Sequence, residues 1–381
     1  MRGPATSTVL SGRTRTAGSR THRLLATVLL PTESVVKAVV KRQRRPRTRI
    51  RPPVLAAVLS LFAGLLAACG SSDADGLTTI TVGVSNNIFD TSLRVADANG
   101  YFRAAGLKVE FITVTASIGS AALQSDSVQF LNDSPTNFLT AVGRKIPELA
   151  VAMNGGGNPL GLVVSAKFAK EHGLTAQTPP DVVAKALAGS TGGASSNTTK
   201  GQSSIFLKEY GADPASVKWV MLPSPAADKA ALNNEQIDWF VTSEPIPLQV
   251  QDAGDGVVVA GPDRVPVWSV ARSGYGQVVV VRQSFAQENA DLVRRFVGAV
   301  QQATAYTRGH EAETVAIMKK VLSGVPEPVL LASLRLVDWP ESDAMDKAGW
   351  ATTMAFISKE GALPKGTKLP DSNWTNQYLP Q

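Results

Sequence analysis

The chain has 381 residues, 44% hydrophobic and 18% charged, a composition typical of a folded globular protein with room for two domains. Its formal net charge of +7 suggests a nucleic-acid partner, but residues 1–68 hold 13 of the 38 Lys and Arg and one acid, Glu33. The remainder carries 25 basic and 30 acidic residues, so nucleic-acid binding is not expected. The lone cysteine, Cys69, and three histidines far apart in sequence exclude a disulfide framework and argue against a metal site, and no cofactor is expected.

The first feature along the chain is a predicted leader at residues 1–68. Residues 41–51 read KRQRRPRTRIR, and residues 54–68 form an uncharged apolar run too short for the ~20 residues of a membrane span. A basic region followed by a short apolar region is the layout of a secretion signal. A second apolar stretch at 24–40 precedes it, so we hypothesise that translation starts near Val39 or Val40 and that residues 1–39 precede the true start. Peptides from residues 1–38 in the unprocessed precursor would refute that hypothesis.

The end of the apolar run, LAACG at 66–70, resembles a bacterial lipobox. That resemblance implies cleavage before Cys69 and a diacylglycerol on its thiol, with residues 69–77 as a polar tether. The chain is then exported and lipid-anchored to the outer face of the cell membrane. The alternative is a buried structural cysteine near the end of a membrane anchor.

From Thr78 onward, short β-branched apolar runs alternate with helical patterns, which predicts an α/β fold with mainly parallel sheets. Strands are expected at 80–84, 109–113, 128–131, 149–153, 160–164, 217–222, 239–241, 257–259 and 277–281. Helices are expected at 90–102, 120–124, 135–142, 180–187, 202–210, 290–307, 311–322, 326–334 and 342–360.

Six loops that leave these strands are rich in glycine and small polar residues. They are SNN at 85–87, TASIGS at 115–120, NDSPTN at 132–137, NGGGNP at 154–159, STGGASSNTT at 190–199 and TSEP at 242–245. Ligands of α/β proteins bind at the carboxyl ends of strands, where such loops meet helix N-termini. Each loop taken alone also fits an ordinary turn or helix cap. Together they predict a shared pocket.

Several segments carry a family resemblance. TVGV at 81–84 and GYFRAAGLKVE at 100–110 resemble the first strand, helix, turn and second strand of the periplasmic binding proteins for sulfonate, nitrate, taurine and thiamine precursors. ALQSDSVQF at 122–130 resembles a family segment in which Gly and Asp usually stand where Asp126 and Gln129 occur. ALNNEQID at 231–238 resembles a second such segment, again without its glycine, and Glu244-Pro245 resembles a Glu-Pro near the family's pocket.

The resemblance implies a two-lobed binding protein of type II, each lobe a mainly parallel sheet flanked by helices. Lobe one would comprise residues 78–163 and 276–381, and lobe two residues 164–275. A small-molecule solute would sit between the lobes and be buried by hinge closure. The implied partners are the permease and ATPase subunits of an ABC import transporter, and the protein is expected to be a monomer and not an enzyme.

The candidate ligand-binding residues come from the loops and the return crossover. They are Asn86, Asn87, Phe89, Ser117, Gly119, Asp133, Ser134 and Asn158 from lobe one, and Ser195, Ser196, Asn197, Ser243, Glu244 and Tyr275 from lobe two and the crossover. Asn and Ser would hydrogen-bond the solute, whereas Phe89 and Tyr275 would offer apolar faces.

The family leaves the solute open between a sulfonate-like and a pyrimidine- or thiamine-precursor-like molecule. The candidate loops contain no Arg, while Asp90, Asp133 and Glu244 lie in or beside them. A carboxylate 4 Å from a bound anion would repel it by roughly 4 kcal/mol at an effective dielectric near 20, which favours a neutral or cationic solute. Two alternatives stay open: an enzyme of the same fold acting on a pyrimidine or menaquinone precursor, and a ligand-free surface scaffold.

Overall fold

The computed structural model describes residues 76–115, 118–361, 363 and 366–380, all within a compact unit that spans Ala67–Gln381. The predicted leader, Cys69 and the candidate Ser117 lie outside the described residues. None of the helices in the described ranges combines the length and the hydrophobicity of a transmembrane segment.

Among the described residues, ten strands form two sheets of five. The strands are Thr78–Val84 (β1), Leu107–Thr113 (β2), Phe130–Asp133 (β3), Glu148–Gly156 (β4), Leu160–Ser165 (β5), Thr191–Ala194 (β6), Lys218–Met221 (β7), Trp239–Ser243 (β8), Gly256–Ala260 (β9) and Tyr275–Arg282 (β10). The first sheet has the order β2-β1-β3-β10-β4 and the second the order β7-β6-β8-β5-β9. In each sheet four strands share one direction, and one strand, β10 or β5, runs against both of its neighbours.

Fifteen α-helices connect and cover the strands in the described part of the chain. They are Thr91–Ala98 (α1), Tyr101–Ala104 (α2), Gly119–Gln124 (α3), Pro135–Gly143 (α4), Ala166–His172 (α5), Pro180–Leu187 (α6), Asn197–Glu209 (α7), Pro225–Asn233 (α8), Ile246–Asp252 (α9), Val270–Ser273 (α10), Gln283–Glu288 (α11), Ala290–Gly309 (α12), Glu311–Val321 (α13), Glu327–Arg335 (α14) and Lys347–Glu360 (α15). These helices flank the two sheets, and the predicted α/β fold class is confirmed. We call the part built on the first sheet, with α12–α15, lobe one, and the part built on the second sheet lobe two.

Several predicted elements differ from the structure. The helix expected at 202–210 begins at Asn197, and the helix expected at 342–360 begins at Lys347. The single helix expected at 90–102 is a 3-10 turn followed by α1 and α2, because the chain between them turns at Gly100 with a φ of 73°, a left-handed conformation that ends a helix. The loop expected at 190–199 contains β6, whose two glycines, Gly192 and Gly193, gave no strand signal.

Aromatic stacking marks the core of lobe one, where α12 packs on the sheet. The ring of Phe296 stacks on Phe130 at 3.8 Å and on Phe102 at 5.0 Å between centroids. In lobe two, the buried Trp239 of β8 meets Trp219 edge-on at 5.4 Å. Each lobe therefore has buried aromatic side chains on its own sheet.

Two crossovers, residues 157–159 and 261–274, join the sheets. They are hydrogen-bonded to each other, since Gly157 N donates to Gly274 O and Asn158 N donates to Trp268 O, both at 3.0 Å. The lobe boundary expected between 163 and 164 falls inside β5, and the one expected between 275 and 276 falls at the first residue of β10. The strand pairing thus puts β5 with lobe two and Tyr275 with lobe one.

Candidate functional site

One edge of the first sheet gathers the candidate residues of lobe one. β1, β3 and β4 end at this edge and β10 begins there, because Asp133 lies opposite Val278 and Gly156 opposite Tyr275. The loop at 85–87, Asp133 with Ser134, and the start of the first crossover therefore share one side of the lobe. This is the edge at which α/β proteins bind ligands.

The second sheet presents an equivalent edge. β6, β8 and β9 end there and β5 begins there, with Leu160 opposite Ser243 and Leu162 opposite Ala260. The candidates at 195–197 follow β6, and Ser243 with Glu244 closes β8. The polar loops of lobe two thus also share one side.

The first crossover brings the two edges together. Residues 157–159 are the whole connection between β4 and β5, and a link of that length spans at most about 14 Å. Asn158 lies in it, and its Oδ1 accepts a hydrogen bond of 3.4 Å from Gln202 Nε2 of α7. Gln202, which is buried, was missed by sequence analysis because it lies inside a helix with no loop signal.

Three candidate side chains cap helices at these edges. Asn87 accepts from Phe89 N at 2.9 Å, Ser134 accepts from Asn137 N at 3.3 Å, and Ser196 accepts from Thr199 N at 3.1 Å. Helix capping, which the sequence left open as an alternative to ligand binding for each loop, therefore occurs at all three positions. Two of the capped helices, α4 and α7, begin at the facing edges.

A buried polar network behind the loop at 85–87 was also missed. Asn132 Nδ2 donates to Asp90 Oδ1 at 2.8 Å, and Asn154 Nδ2 donates to Asn132 Oδ1 at 3.1 Å. Asp90 Oδ2 in turn accepts from Asn87 N at 3.1 Å, so β3 and β4 hold the loop in place. Burial raises the pKa of Asp90, against the hydrogen bond from Asn132. Asn132 and Asn154 are the first residues of two of the polar loops, and this position in the sequence could have indicated both of them.

Some candidate residues point into lobe one. Phe89 is 4% exposed, and its ring packs against Gly155 and Gly276, which leave space for it because they have no side chain. Gly119, the first residue of α3, lies against Leu131, whose Cδ2 would be 2.9 Å from an added Cβ.

Two further candidates are engaged with neighbouring residues. The Tyr275 hydroxyl accepts from Asp346 N at 2.8 Å, and its ring meets Trp350 edge-on. Asn86, with a φ of 53°, donates through Nδ2 to Thr113 Oγ1 and accepts from Arg94. Tyr275 is therefore held beneath α15, and Asn86 is tied to β2 and α1.

Carboxyl groups from both lobes lie at the facing edges. Asp133 Oδ1 accepts from Ser134 N and Asn137 Nδ2, both at 2.8 Å, and burial raises the pKa of Asp133 to about 6. In lobe two, burial raises the pKa of Glu244 to about 8, opposed by the hydrogen bond from Leu248 N. Burial also raises the pKa of Asp228 to about 6, against the neighbouring Ser195 hydroxyl.

Asp228 was not predicted as a site residue. It is fully buried, and neither of its carboxylate oxygens has a hydrogen bond of standard geometry among the described residues. Because it lies within α8, no loop motif in the sequence indicated it. No group of three or more His, Cys, Asp and Glu suited to holding a metal occurs in the described ranges.

Solved structures share this architecture. The periplasmic aliphatic sulphonate binding protein SsuA from Escherichia coli is 14% identical, with a TM-score of 0.63 over 79% of this chain and 98% of that one. The periplasmic nitrate-binding protein NrtA from Synechocystis PCC 6803 is 16% identical, with a TM-score of 0.60 over 78% and 84%. The desulfurization enzyme DSZB is 16% identical, with a TM-score of 0.57 over 79% and 97%. At such identities the likeness establishes the fold, that of the type II periplasmic binding proteins.

Sequence comparison adds the family. Among curated protein sequences there is no significant match. A family model described as NMT1/THI5 like matches residues 89–314, more than half of the chain. The protein therefore belongs to the NMT1/THI5-like family.

Proposed function

We propose that this protein is the exported solute-binding component of an ABC import transporter and holds a small organic solute between its lobes. The observation that carries the proposal is the pair of facing sheet edges, each lined by polar loops and helix N-termini and linked by a crossover of three residues. Family membership supports it, as does the structural likeness to a sulphonate binding protein and a nitrate binding protein.

The two crossovers are the natural hinge. A solute that contacts both edges gains its full set of contacts only when the lobes close, so it shifts the equilibrium toward the closed form. The closed form would then be the state that the permease and ATPase subunits bind. A monomer suffices for this, because both walls of the cleft come from one chain.

Calorimetry and small-angle scattering test the proposal together. Purified protein is titrated with a library of sulfonates, pyrimidines, amines and nitrate, and each binder is examined for a decrease in the radius of gyration. We expect at least one solute to bind with 1:1 stoichiometry, be recovered unchanged and compact the protein. A rigid particle that no solute compacts would refute the proposal.

We also propose that the protein is anchored through a lipid on Cys69. The support is the basic region, the apolar run and the lipobox-like LAACG at 66–70. Mass spectrometry of the mature N-terminus should find Cys69 first and diacylated, and Cys69→Ser should release the protein from membranes. A mature form that begins upstream of Cys69 would contradict the anchor.

An enzyme of the same fold is the second candidate. It is favoured by the structural likeness to the desulfurization enzyme DSZB and by the raised pKa values of Asp133 and Glu244, since perturbed carboxyls also mark catalytic sites. The titration above separates the two functions. Conversion of a pyrimidine or sulfonate at substoichiometric protein would support the enzyme, and stoichiometric retention without conversion would support the binding protein.

A further inference from the structure

A cavity of about 320 Å³ lies where the two lobes meet beside the second crossover. Lobe two contributes the ends of its sheet, Leu160 and Ala260, and Leu248 of α9, while lobe one contributes Ala332 of α14 and Leu336 just after it. These five residues are apolar, and polar side chains of lobe two, among them Gln177 and Gln251, complete the wall. The volume is near the lower limit of small-molecule sites, which suits a ligand of about one ring.

α9 and the segment before α14 are in direct contact next to this cavity. Gln249 Nε2 of α9 donates to Gly324 O at 3.2 Å, and Leu248 packs against the apolar cluster that includes Leu330 and Leu334. A molecule in the cavity therefore touches both lobes.

Glu244 places a carboxyl in this cavity. It is 1% exposed, and its Oε2 accepts from Leu248 N at 3.1 Å, whereas Oε1 accepts no hydrogen bond from the described residues. The backbone at Gly161 leaves room for that oxygen, because an added Cβ would lie 2.9 Å from Oε1. Glu244 lines the cavity, and one of its carboxylate oxygens has no hydrogen-bond donor among the described residues.

The charged residues of the cavity wall do not neutralise Glu244. They are Asp263 and Arg264. Arg264 donates to main-chain oxygens, at 2.6 Å to Thr178 O and 3.4 Å to Val259 O, and no ion pair joins it to Glu244 in the described ranges. A buried carboxylate without a counter-charge is costly, so the group holds a proton until a cation arrives. The raised pKa of Glu244, about 8 through burial, agrees with this.

We propose that this cavity selects a compact, mainly apolar solute that carries one positively charged N–H group, with Glu244 Oε1 as its acceptor. The inference rests on the proposed solute-binding function and narrows its solute class to organic cations. A sulfonate or nitrate would instead bring a second negative charge to a buried carboxyl.

Three probes of similar size and different charge test the inference on the mature full-length protein. They are benzylamine, benzyl alcohol and benzenesulfonate, compared by calorimetry near neutral pH. We expect benzylamine to bind at least about tenfold more tightly than benzyl alcohol, with benzenesulfonate the weakest. Benzylamine affinity should rise from about pH 6 to about pH 8, as Glu244 loses its proton, and binding should release protons. Stronger binding of benzenesulfonate than of benzylamine overturns the inference.

A matched pair of variants locates the effect. Glu244→Gln keeps an oxygen to accept from Leu248 N but removes the charge, and we expect it to weaken benzylamine by about tenfold and leave benzyl alcohol unchanged. Glu235→Gln is the control, because Glu235 is 62% exposed on its side chain and pairs with Lys167 outside the cavity. Unchanged benzylamine affinity in folded Glu244→Gln overturns the inference. If that variant does not fold, the ranking of the three probes on the unmodified protein decides.

The inference and the proposed function fail separately. Lobe closure on benzenesulfonate or nitrate, with no response to benzylamine, removes the cation preference and keeps the solute-binding function. Absence of closure with every solute of the wider library removes the function itself.

Discussion

Two turns, one in each lobe, lead from a helix into the central strand of a sheet: residues 125–129 before β3 and residues 234–238 before β8. Each contains an acidic residue in the left-handed conformation, Asp126 with a φ of 59° and Glu235 with a φ of 56°. Each carboxylate pairs with a basic residue of another element, Asp126 with Arg282 and Glu235 with Lys167, both at 2.7 Å. These are the positions at which the family resemblance leads one to expect glycine.

The last residue of each turn also accepts a hydrogen bond from the backbone of the neighbouring strand in both lobes. Gln129 Oε1 accepts from Thr81 N at 2.8 Å, and Asp238 Oδ2 accepts from Thr191 N at 2.7 Å. In both lobes a backbone N–H of the neighbouring strand needs a hydrogen-bond acceptor at this position. The side-chain amide of Gln129 accepts that bond as well as the carboxylate of Asp238 does. The comparison teaches that a segment can lose its usual glycine and aspartate and keep its turn, provided that the replacements meet the same conformational and hydrogen-bonding needs.

We expect the greatest loss of stability from substitutions in the strand beside each turn. An added Cβ on Gly193 would lie 2.5 Å from Ile237 Cδ1, and one on Gly83 would lie 2.8 Å from Leu131 Cδ1. Gly193→Val should cost about 3 kcal/mol of unfolding free energy and Gly83→Val about 2 kcal/mol, because both overfill a packed core. Urea unfolding measures both. Equal and small losses would show that the two cores repack easily.

The second prediction concerns a group of lobe one packed among its C-terminal helices. Asp343 is fully buried, with Oδ2 accepting from Thr304 Oγ1 at 3.2 Å, and burial raises its pKa to about 8. The folded protein thus holds this proton more tightly than the unfolded chain, whose Asp titrates near 3.8. The contribution of Asp343 to the unfolding free energy should therefore fall as pH rises from about 4 to about 8, by about 2 kcal/mol between pH 6 and pH 8.

Asp343→Asn removes that titration and keeps an acceptor for Thr304. The variant should lose the part of the decline that Asp343 causes, about 2 kcal/mol between pH 6 and pH 8, and keep the part that Glu244 causes, since burial raises the pKa of Glu244 to about 8 as well. Asp252→Asn, at an exposed position in lobe two, is the control and should retain the decline. If the unfolding free energy of Asp343→Asn declined as steeply as that of the unmodified protein, other groups would be responsible for the decline.

A third prediction tests whether the two acceptors are equivalent. Asp238→Ala should cost about 1.5 kcal/mol, because Thr191 N loses a charged acceptor, and Gln129→Ala about 1 kcal/mol, because Thr81 N loses a neutral one. Thermal and urea unfolding of both variants give the values. A larger loss for Gln129→Ala would reverse the ranking and point to its second bond, from Nε2 to Asp126 O.

The smallest effect is expected at the left-handed residues. Glu235→Gly should relieve about 1 kcal/mol of backbone strain and lose about 0.5 kcal/mol of exposed ion pair, a small net stabilisation. Asp126→Gly should be closer to neutral, because its partner Arg282 is only 21% exposed on its side chain and its ion pair is less screened. Glu235→Gln keeps the backbone strain and removes the charge, so it separates the contribution of the strain from that of the ion pair. Destabilisation by Glu235→Gly would mean that the ion pair outweighs the strain.

Local patterns predicted much of the fold, and their failures have identifiable causes. β1 and β5 were expected because runs of β-branched residues form buried strands. β6 was missed because Gly192 and Gly193 have weak strand preference, yet neighbouring strands impose the conformation, and the missing side chain of Gly192 accommodates the Trp239 ring. In the candidate site, the polar loops were found, but Phe89 and Tyr275 pack into lobe one.

Residue order and local periodicity were enough to predict the family, the alternation of strands and helices, and the loops that reach the sheet edges. Which of those groups are buried, and which lie together, depends on the tertiary structure. Glu244 is one acid among many in the sequence. In the fold it is buried, and its Oε1 accepts no hydrogen bond from the described residues, because Gly161 leaves it room, main-chain carbonyls engage Arg264, and α14 of the other lobe closes the cavity wall. These residues are distant in sequence, and only folding brings them together.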